Sequence, residues 1–463
     1  MKKYLVWIGA MILVMALTSP ALAQDWAKQF TATSLFQIWS VAVNKQDFKM
    51  NAADDEITTK GISSRVNFYL NWGDSKYVRG VIGFEADSTN WGEPTWSNTS
   101  TASDPNYSAS ANPGNRMGVR NTDQVQLEIK HAYLEFTIPN TPIMVTPGIQ
   151  NFAYGGRLFQ SMDAPGLKLT AAFAPHQIQA VWWRENEGYS TDTATQSRQS
   201  YHVNDYYGLE YKLSQKEFNV YAYGFYQNDL RSGSDSYADH PYWIGVGGGF
   251  RPGNLNLSGQ LVYIGGKRDY TAAADVDYRA YAAEMLAQYT LGPGLSAAVE
   301  GFYASGNDAD DTSKTKRYFT PAGSESYSNF GLGRTVFFWM NFSQFGNQHQ
   351  KQGDFGGMYY GRLNGIYSPM PWIQLSGNYL YIGDTSKGTP GAGKVVNSPT
   401  GARQDVNKDF IGHEINLITT LKIYQNFTYN IGLGYFLPGD VYDSATKSAD
   451  NAWAVNTGMQ LAF

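Results

Sequence analysis

From Ile62 to Asp87 apolar and polar residues alternate one by one. Ile62, Ser64, Val66, Phe68, Leu70 and Trp72 share one face, and Ser63, Arg65, Asn67, Tyr69 and Asn71 share the other. A sustained period of two means a strand, because successive strand side chains point to opposite faces. Gly73-Asp74-Ser75 supplies a turn. Val78, Gly80, Ile82, Phe84 and Ala86 then oppose Tyr77, Arg79, Gly83, Glu85 and Asp87. Read alone, this hairpin suits a soluble sandwich as well as a membrane wall. Its recurrence decides between them.

The same alternation predicts strands over 30–43, 124–138, 143–150, 167–173, 178–185, 203–213, 218–227, 242–250, 255–264, 279–291, 295–304, 355–367, 372–382, 411–423, 427–437 and 452–463. In the strand at 124–138 the outward set Val125, Leu127, Ile129 slips to Ala132, Leu134, Phe136. That predicts a bulge near Lys130-His131. The pattern amounts to about 18 strands of the length a tilted membrane strand needs, with about 16 as the alternative. Connections also alternate. Short turns near 74, 140, 176, 215, 252, 292, 369 and 425 take turns with long polar stretches, the longest at 88–123, 305–354 and 384–409. Outer-membrane barrels sort their loops this way, with short periplasmic turns and long extracellular loops. The fold class is therefore all-β, a transmembrane antiparallel barrel.

Composition sharpens this reading. The chain of 463 residues carries 48 Gly, 33 Tyr, 24 Phe and 12 Trp, and no Cys. Its mean hydropathy is −0.39, and no long apolar run follows the N-terminal segment, which excludes a helical membrane protein. A barrel fits, because only alternate residues face lipid and aromatic girdles mark both interfaces. The N-terminus reads as a cleaved signal peptide over 1–23. Lys2 and Lys3 precede the apolar run 5–17, and Ala21-Leu22-Ala23 is a small-x-small cleavage site. Residues 24–463 then form a single barrel domain. The absence of Cys after Ala23 excludes a lipoprotein anchor, and a net charge of −5 argues against nucleic acid as a partner. The last strand ends on Phe463, which reads as a signal for the barrel-assembly machinery. Outer-membrane lipid and lipopolysaccharide are the expected surroundings.

A barrel this wide holds water or a plug, so its inward faces are the place to look for function. The pore-lining set is Arg65, Arg79, Glu85, Asp87, Glu128, Lys130, Lys168, Glu210, Lys212, Glu300 and Arg362, with Glu284, Glu414 and Lys422 on the same faces. Singly, wall solvation accounts for each as well as a pore role does; as a set they make a charged aqueous channel. Arg65, Arg79 and Arg157 would form a basic side, and Glu85, Asp87 and Asp163 an acidic side, setting up a field across the lumen. The stretch 151–166 is shorter and more apolar than the other outer loops. Its Phe152, Tyr154 and Phe159 need something to pack on. It is expected to fold inward as a constriction built on Tyr154, Arg157, Phe159 and Asp163, or else to pack on an adjacent subunit.

The aromatic stretch 331–345 is open between a further strand, an inward loop and a subunit contact. Asn307-Asp308-Ala309-Asp310-Asp311 offers close oxygen ligands, without the spacing of a calcium motif; a solvated acidic loop explains it better. None of the six His lies in a zinc-protease or serine-hydrolase motif, so no enzyme, metal or cofactor is read.

Lys130-His131-Ala132-Tyr133-Leu134-Glu135-Phe136, Pro139-Asn140-Thr141 and Pro147-Gly148-Ile149-Gln150, with Asn90-Trp91-Gly92 after the third strand, resemble the major outer-membrane porins of sulfate-reducing and related bacteria. The resemblance covers roughly residues 62–183. It implies a homotrimer of diffusion porins with an inward-folded loop after the fifth strand, although well-known trimeric porins have about 16 strands. The chain is thus expected to be a porin passing small hydrophilic solutes or ions by diffusion. A substrate-specific channel for sugars or organic acids, with aromatics as a sliding track, is one alternative. A barrel sleeve around a partner such as an electron-transfer protein is the other.

Overall fold

The computed structural model describes residues 30–44, 59–74, 78–88, 127–156, 158–191, 198–232, 237–271, 273–308, 311, 313–321, 357–386, 408–440, 448 and 450–463. The leader segment 1–23, the stretch 331–345 and Arg157 lie outside the described residues.

Eighteen antiparallel strands form one closed wall. They are β1 (Phe30–Val43), β2 (Thr59–Asp74), β3 (Val78–Ser88), β4 (Leu127–Thr137), β5 (Ile143–Tyr154), β6 (Gln160–Phe173), β7 (His176–Thr191), β8 (Arg198–Ser214) and β9 (Phe218–Arg231). The second half is β10 (Tyr237–Phe250), β11 (Leu255–Tyr270), β12 (Ala280–Gly292), β13 (Leu295–Ala304), β14 (Met358–Met370), β15 (Ile373–Asp384), β16 (Phe410–Tyr424), β17 (Phe427–Pro438) and β18 (Ala452–Ala462). Each pairs with its sequence neighbour, and β1 pairs with β18 from Leu35↔Ala462 to Val43↔Ala454, so the wall has no open edge. Two short segments, Val276–Tyr278 and Lys314–Thr315, pair with each other in parallel, and the first also pairs with β11 at Lys267 and Arg268.

The distribution of burial is inverted relative to a water-soluble protein. Met285, Leu291 and Val299 are 57–68% exposed on the outer face, while Glu210, Glu300 and Glu414 are at most 2% exposed inside. Such an apolar exterior is stable only against hydrocarbon, and the polar interior only against water or paired groups. Outward tyrosines form belts, and three histidines join them. His176 meets the Tyr211 hydroxyl at 2.7 Å, His240 that of Tyr226 at 3.0 Å and His413 that of Tyr379 at 2.8 Å. These amphipathic rings suit a membrane–water interface.

The slip in β4 is a bulge. Gly83 pairs with His131 and Phe84 with Ile129, leaving Lys130 without an opposite number. Lys130 and His131 therefore both turn inward.

Besides those two short segments, the expected elements are departed from at 151–166, read as a loop. Here β5 and β6 continue as a paired hairpin from Ile143↔Ala171 to Tyr154↔Gln160. Alternation inverts in meaning there because neither face meets lipid. The wall strands release it: β4 pairs with β5 only up to Ala132↔Ile149, and β7 with β6 only up to Gly166↔Trp183. Gly148 and Gly166 are register partners at that level. Gly148 has φ +128°, and a side chain on Gly166 would run into the Trp182 carbonyl oxygen. Only glycine permits the two arms to turn off the wall together.

Val299 lies on the lipid face near the middle of β13. Val299→Arg is expected to cost the barrel about 2–4 kcal/mol. Urea unfolding in lipid vesicles, followed by the mobility shift of unheated against heated protein, checks it.

Candidate functional site

The hairpin carries two unlike faces. Phe152, Tyr154, Gln160, Met162 and Ala164 form one, and Asn151, Ala153, Ser161 and Asp163 the other. The first face is buried against the inward residues of β7–β10. Phe152 stacks on Trp183 at 5.0 Å, and Trp183 in turn on Tyr206 at 4.8 Å. Phe159, fully buried in the turn, lies 4.7 Å from Phe225 and 5.4 Å from Trp243. Trp183 and Tyr206 are opposite partners across β7 and β8, as are Phe225 and Trp243 across β9 and β10. Four adjacent strands therefore present one aromatic bed, and the hairpin covers it. The tip is latched from above. The Tyr318 hydroxyl donates to the Leu158 carbonyl oxygen, and Phe319 packs on Trp243 at 5.6 Å. The segment 305–321, read as part of an outer polar loop, thus descends into the barrel.

The second face meets β4. Lys130 Nζ stands 3.3 Å from one Asp163 oxygen, and His131 Nε2 lies 3.0 Å from the other. Asn151 donates to Asp163 at 3.1 Å. Lys130 also reaches Glu85 at 2.7 Å, with Arg65 3.7 Å from the same carboxylate. The bulge makes this possible, since it aims two consecutive side chains at a single acid. Asp163 stands on the hairpin, off the wall. Burial pushes its carboxyl up, but the His131 hydrogen bond and the Lys130 charge overcome that and hold it below the usual carboxylate range.

The expected opposition of a basic and an acidic side is not what the geometry shows. Arg65 and Glu85 are neighbours on β2 and β3, and Asp163 is bound to Lys130, so these charges share one sector of the lumen. Arg79 pairs with Glu135 at 3.0 Å. Asp87 is opposite Arg65, and Glu128 opposite Glu85, in register. The reason is local: Arg79 faces Glu135 across β3 and β4, Lys130 meets Glu85 where Glu85 faces a second carboxylate, and pairing at contact distance outweighs a field across open water. Elsewhere Glu210 holds Lys212 at 2.7 Å. Glu300 binds Arg362 at 2.5 Å and the Tyr360 hydroxyl at 2.8 Å, and Arg362 also donates to Asn378 at 2.8 Å. Lys168 leans to the hairpin base, donating to the Asn151 carbonyl oxygen with its ammonium 4.8 Å over the Phe152 ring. In the loop at 307–311, Lys316 Nζ stands 2.9 Å from Asp308 and 3.0 Å from Asp311. Among the described residues no group of three or more acidic or histidine side chains is placed to hold a metal ion.

His131, the aromatic bed and Tyr318 were not among the expected site residues. The bed was legible in part: Trp183, Tyr206, Phe225 and Trp243 all fall on inward positions, where a water-filled wall has no use for large apolar rings. The Tyr318 latch has no local signal.

No family model and no curated protein matches the sequence. Solved structures do resemble the fold. OpdQ of Pseudomonas aeruginosa superposes with a TM-score of 0.52 at 9% identity, covering 94% of this chain and 98% of that one. OccK8 (OprE) of the same organism gives 0.50 at 10% identity, covering 94% and 98%. OccD1 (OprD) gives 0.51 at 11% identity, covering 95% and 96%. The chain is an 18-stranded barrel of the fold found in the OccK/Opd outer-membrane porins.

Phe159→Ala removes a fully buried ring from the dock and is expected to cost the hairpin about 3–5 kcal/mol of docking. The barrel should still fold, and conductance in a planar bilayer should rise and become noisy. The lowered Asp163 carboxyl adds docking stability that is full above the ordinary aspartate value near about 3.9 and is lost as pH falls through its own lower value. Conductance should therefore stay flat from neutral pH to about pH 4 and rise only below it. Asp163→Asn should abolish that acid limb.

Proposed function

We propose that this barrel is an outer-membrane porin through which small hydrophilic solutes diffuse, with the hairpin 150–165 as its constriction. The observation that carries the reading is the hairpin itself. A closed wall turns a pair of its strands inward, docks them on aromatic rings and keeps a small, polar face, Asn151, Ala153, Ser161 and Asp163, away from that bed. Tyr154 and Phe159 anchor the constriction, and Asp163 with Arg157 sets its charge. The pore-lining side chains are those of the inward registers, from Arg65 and Lys130 on one sector to Glu300 and Arg362 on another. No step in this function requires catalysis.

The resemblance in 130–150 supports the further placing of the chain near the major porins of sulfate-reducing and related bacteria, and with it a homotrimer. Export by the 1–23 leader, and assembly read from Phe463 into lipid and lipopolysaccharide, complete the proposal. A substrate-specific channel is the second reading, favoured by the dense pairing of Lys130, His131 and Asp163 at the constriction. Of the inward aromatics such a track would use, Trp183, Tyr206, Phe225 and Trp243 lie under the hairpin, while Tyr69 and Tyr133 stand beside His131. The sleeve reading has least support, because the hairpin and the 305–321 segment take up lumen space.

Single-channel recording of the purified mature chain tests this. Ohmic steps, recurring in threes for a trimer, are expected. A folded barrel that conducts nothing would sink the porin reading. Flux that saturates with one solute would move the specific channel to the front.

A further inference from the structure

Resting on the porin reading, we infer that the channel favours uncharged, polyhydroxylated solutes such as sugars over charged solutes of the same size, and that one neutral strip of wall guides them. The strip is β17, β18 and β1. These three strands carry no Asp, Glu, Lys or Arg at any position, and nowhere else in the barrel are two neighbouring strands free of all four. In the closed ring, β17 and β18 stand half-way round from β8 and β9, the middle of the aromatic bed. Among the described residues, the two segments that leave the wall for the lumen keep to the other side. The hairpin packs on β7–β10 and meets β4, and 305–321 reaches the hairpin tip and Trp243. On that geometry solute passes between the polar face of the hairpin and the strip.

The inner face of the strip is built from amides and glycines. Asn430 faces Gly458, and Gly432 faces Asn456, so each amide has beside it the space of a missing side chain. A Cβ at Gly432 would stand 2.4 Å from Asn456 Oδ1, whereas one at Gly458 would meet nothing within 4 Å. Gln37 faces Gln460 and donates to it at 3.3 Å. An amide carries donors and acceptors together and no net charge. A sugar hydroxyl exchanges water for such a group at little net cost. An ion beside a low-dielectric wall loses hydration, and the strip offers it no counter-charge in return. Inward charges of both signs border the strip, Arg65 on β2 and Glu414 with Lys422 on β16. Asp163, Lys168 and, by sequence, Arg157 belong to the hairpin side.

The test is the uptake of labelled glucose, glucosamine and glucuronate, at neutral pH, into liposomes carrying the full mature chain. The three share one ring and differ in charge. Glucose is expected to enter several-fold faster than either charged sugar. Gln37→Glu and Asn430→Asp each put a carboxylate on the strip. Each should cut the lead of glucose over glucosamine and slow glucuronate further, and the pair should do so more strongly. A charged sugar that enters the unaltered chain as fast as glucose overturns the inference, as does a lead of glucose that the paired substitution leaves unmoved; in both cases uptake itself leaves the porin reading intact. A folded barrel that admits none of the three overturns the porin reading and this inference with it. Both substitutions keep the shape of the side chain, and the heat-dependent mobility shift confirms that the variants are folded before they are compared.

Discussion

Everything in this molecule depends on the closure of one hydrogen-bonded ladder. Hydrocarbon offers no partner for a backbone N–H or C=O, and each one left unpaired costs several kcal/mol. The pairing of β1 with β18 removes the last open edge. Once the ladder is closed, the choice of side chain at each position is free to answer only to its face. That is why the outer face can be apolar throughout while carboxylates such as Glu414 are enclosed inside.

The hairpin 150–165 is the exception that the wall makes possible. Its two arms stay paired to each other, so leaving the wall strands few backbone groups. Glycines at 148 and 166 permit the turn-off at a single level. The bed of Trp183, Tyr206, Phe225 and Trp243 then supplies apolar area that lipid would otherwise have to supply. The opposite, polar face is held to β4 through Asp163. Apolar docking on one side and an ion-paired seam on the other give the inward fold two independent anchors, with the Tyr318 contact at the tip as a third.

Strand after strand, the wall was legible in the alternation. The face of 427–437 showed Phe427, Tyr429, Ile431, Leu433 and Tyr435 outward, and the register places Leu433 beside Leu417 and Tyr435 beside Ile415. The bulge was legible too, because a slip of outward residues from Ile129 to Ala132 has no other regular explanation. The constriction was less so. Its apolar rings marked it as needing a surface, but nothing in 151–166 says that it stays in strand form, because alternation there no longer separates lipid from water. The charge pairing was legible as a set of inward residues and not as a geometry.

Local pattern therefore determined the class of fold, the strands, their inward and outward faces and the position of the bulge. These follow from a period of two and from turn chemistry, both short-range. Tertiary structure alone decided which inward charges meet and what the hairpin packs on. It also decided that a segment from beyond β13 reaches the hairpin tip. Those contacts join residues far apart in the chain, as Tyr318 and Leu158 are, and arise only when closure of the wall brings its distant strands around one lumen.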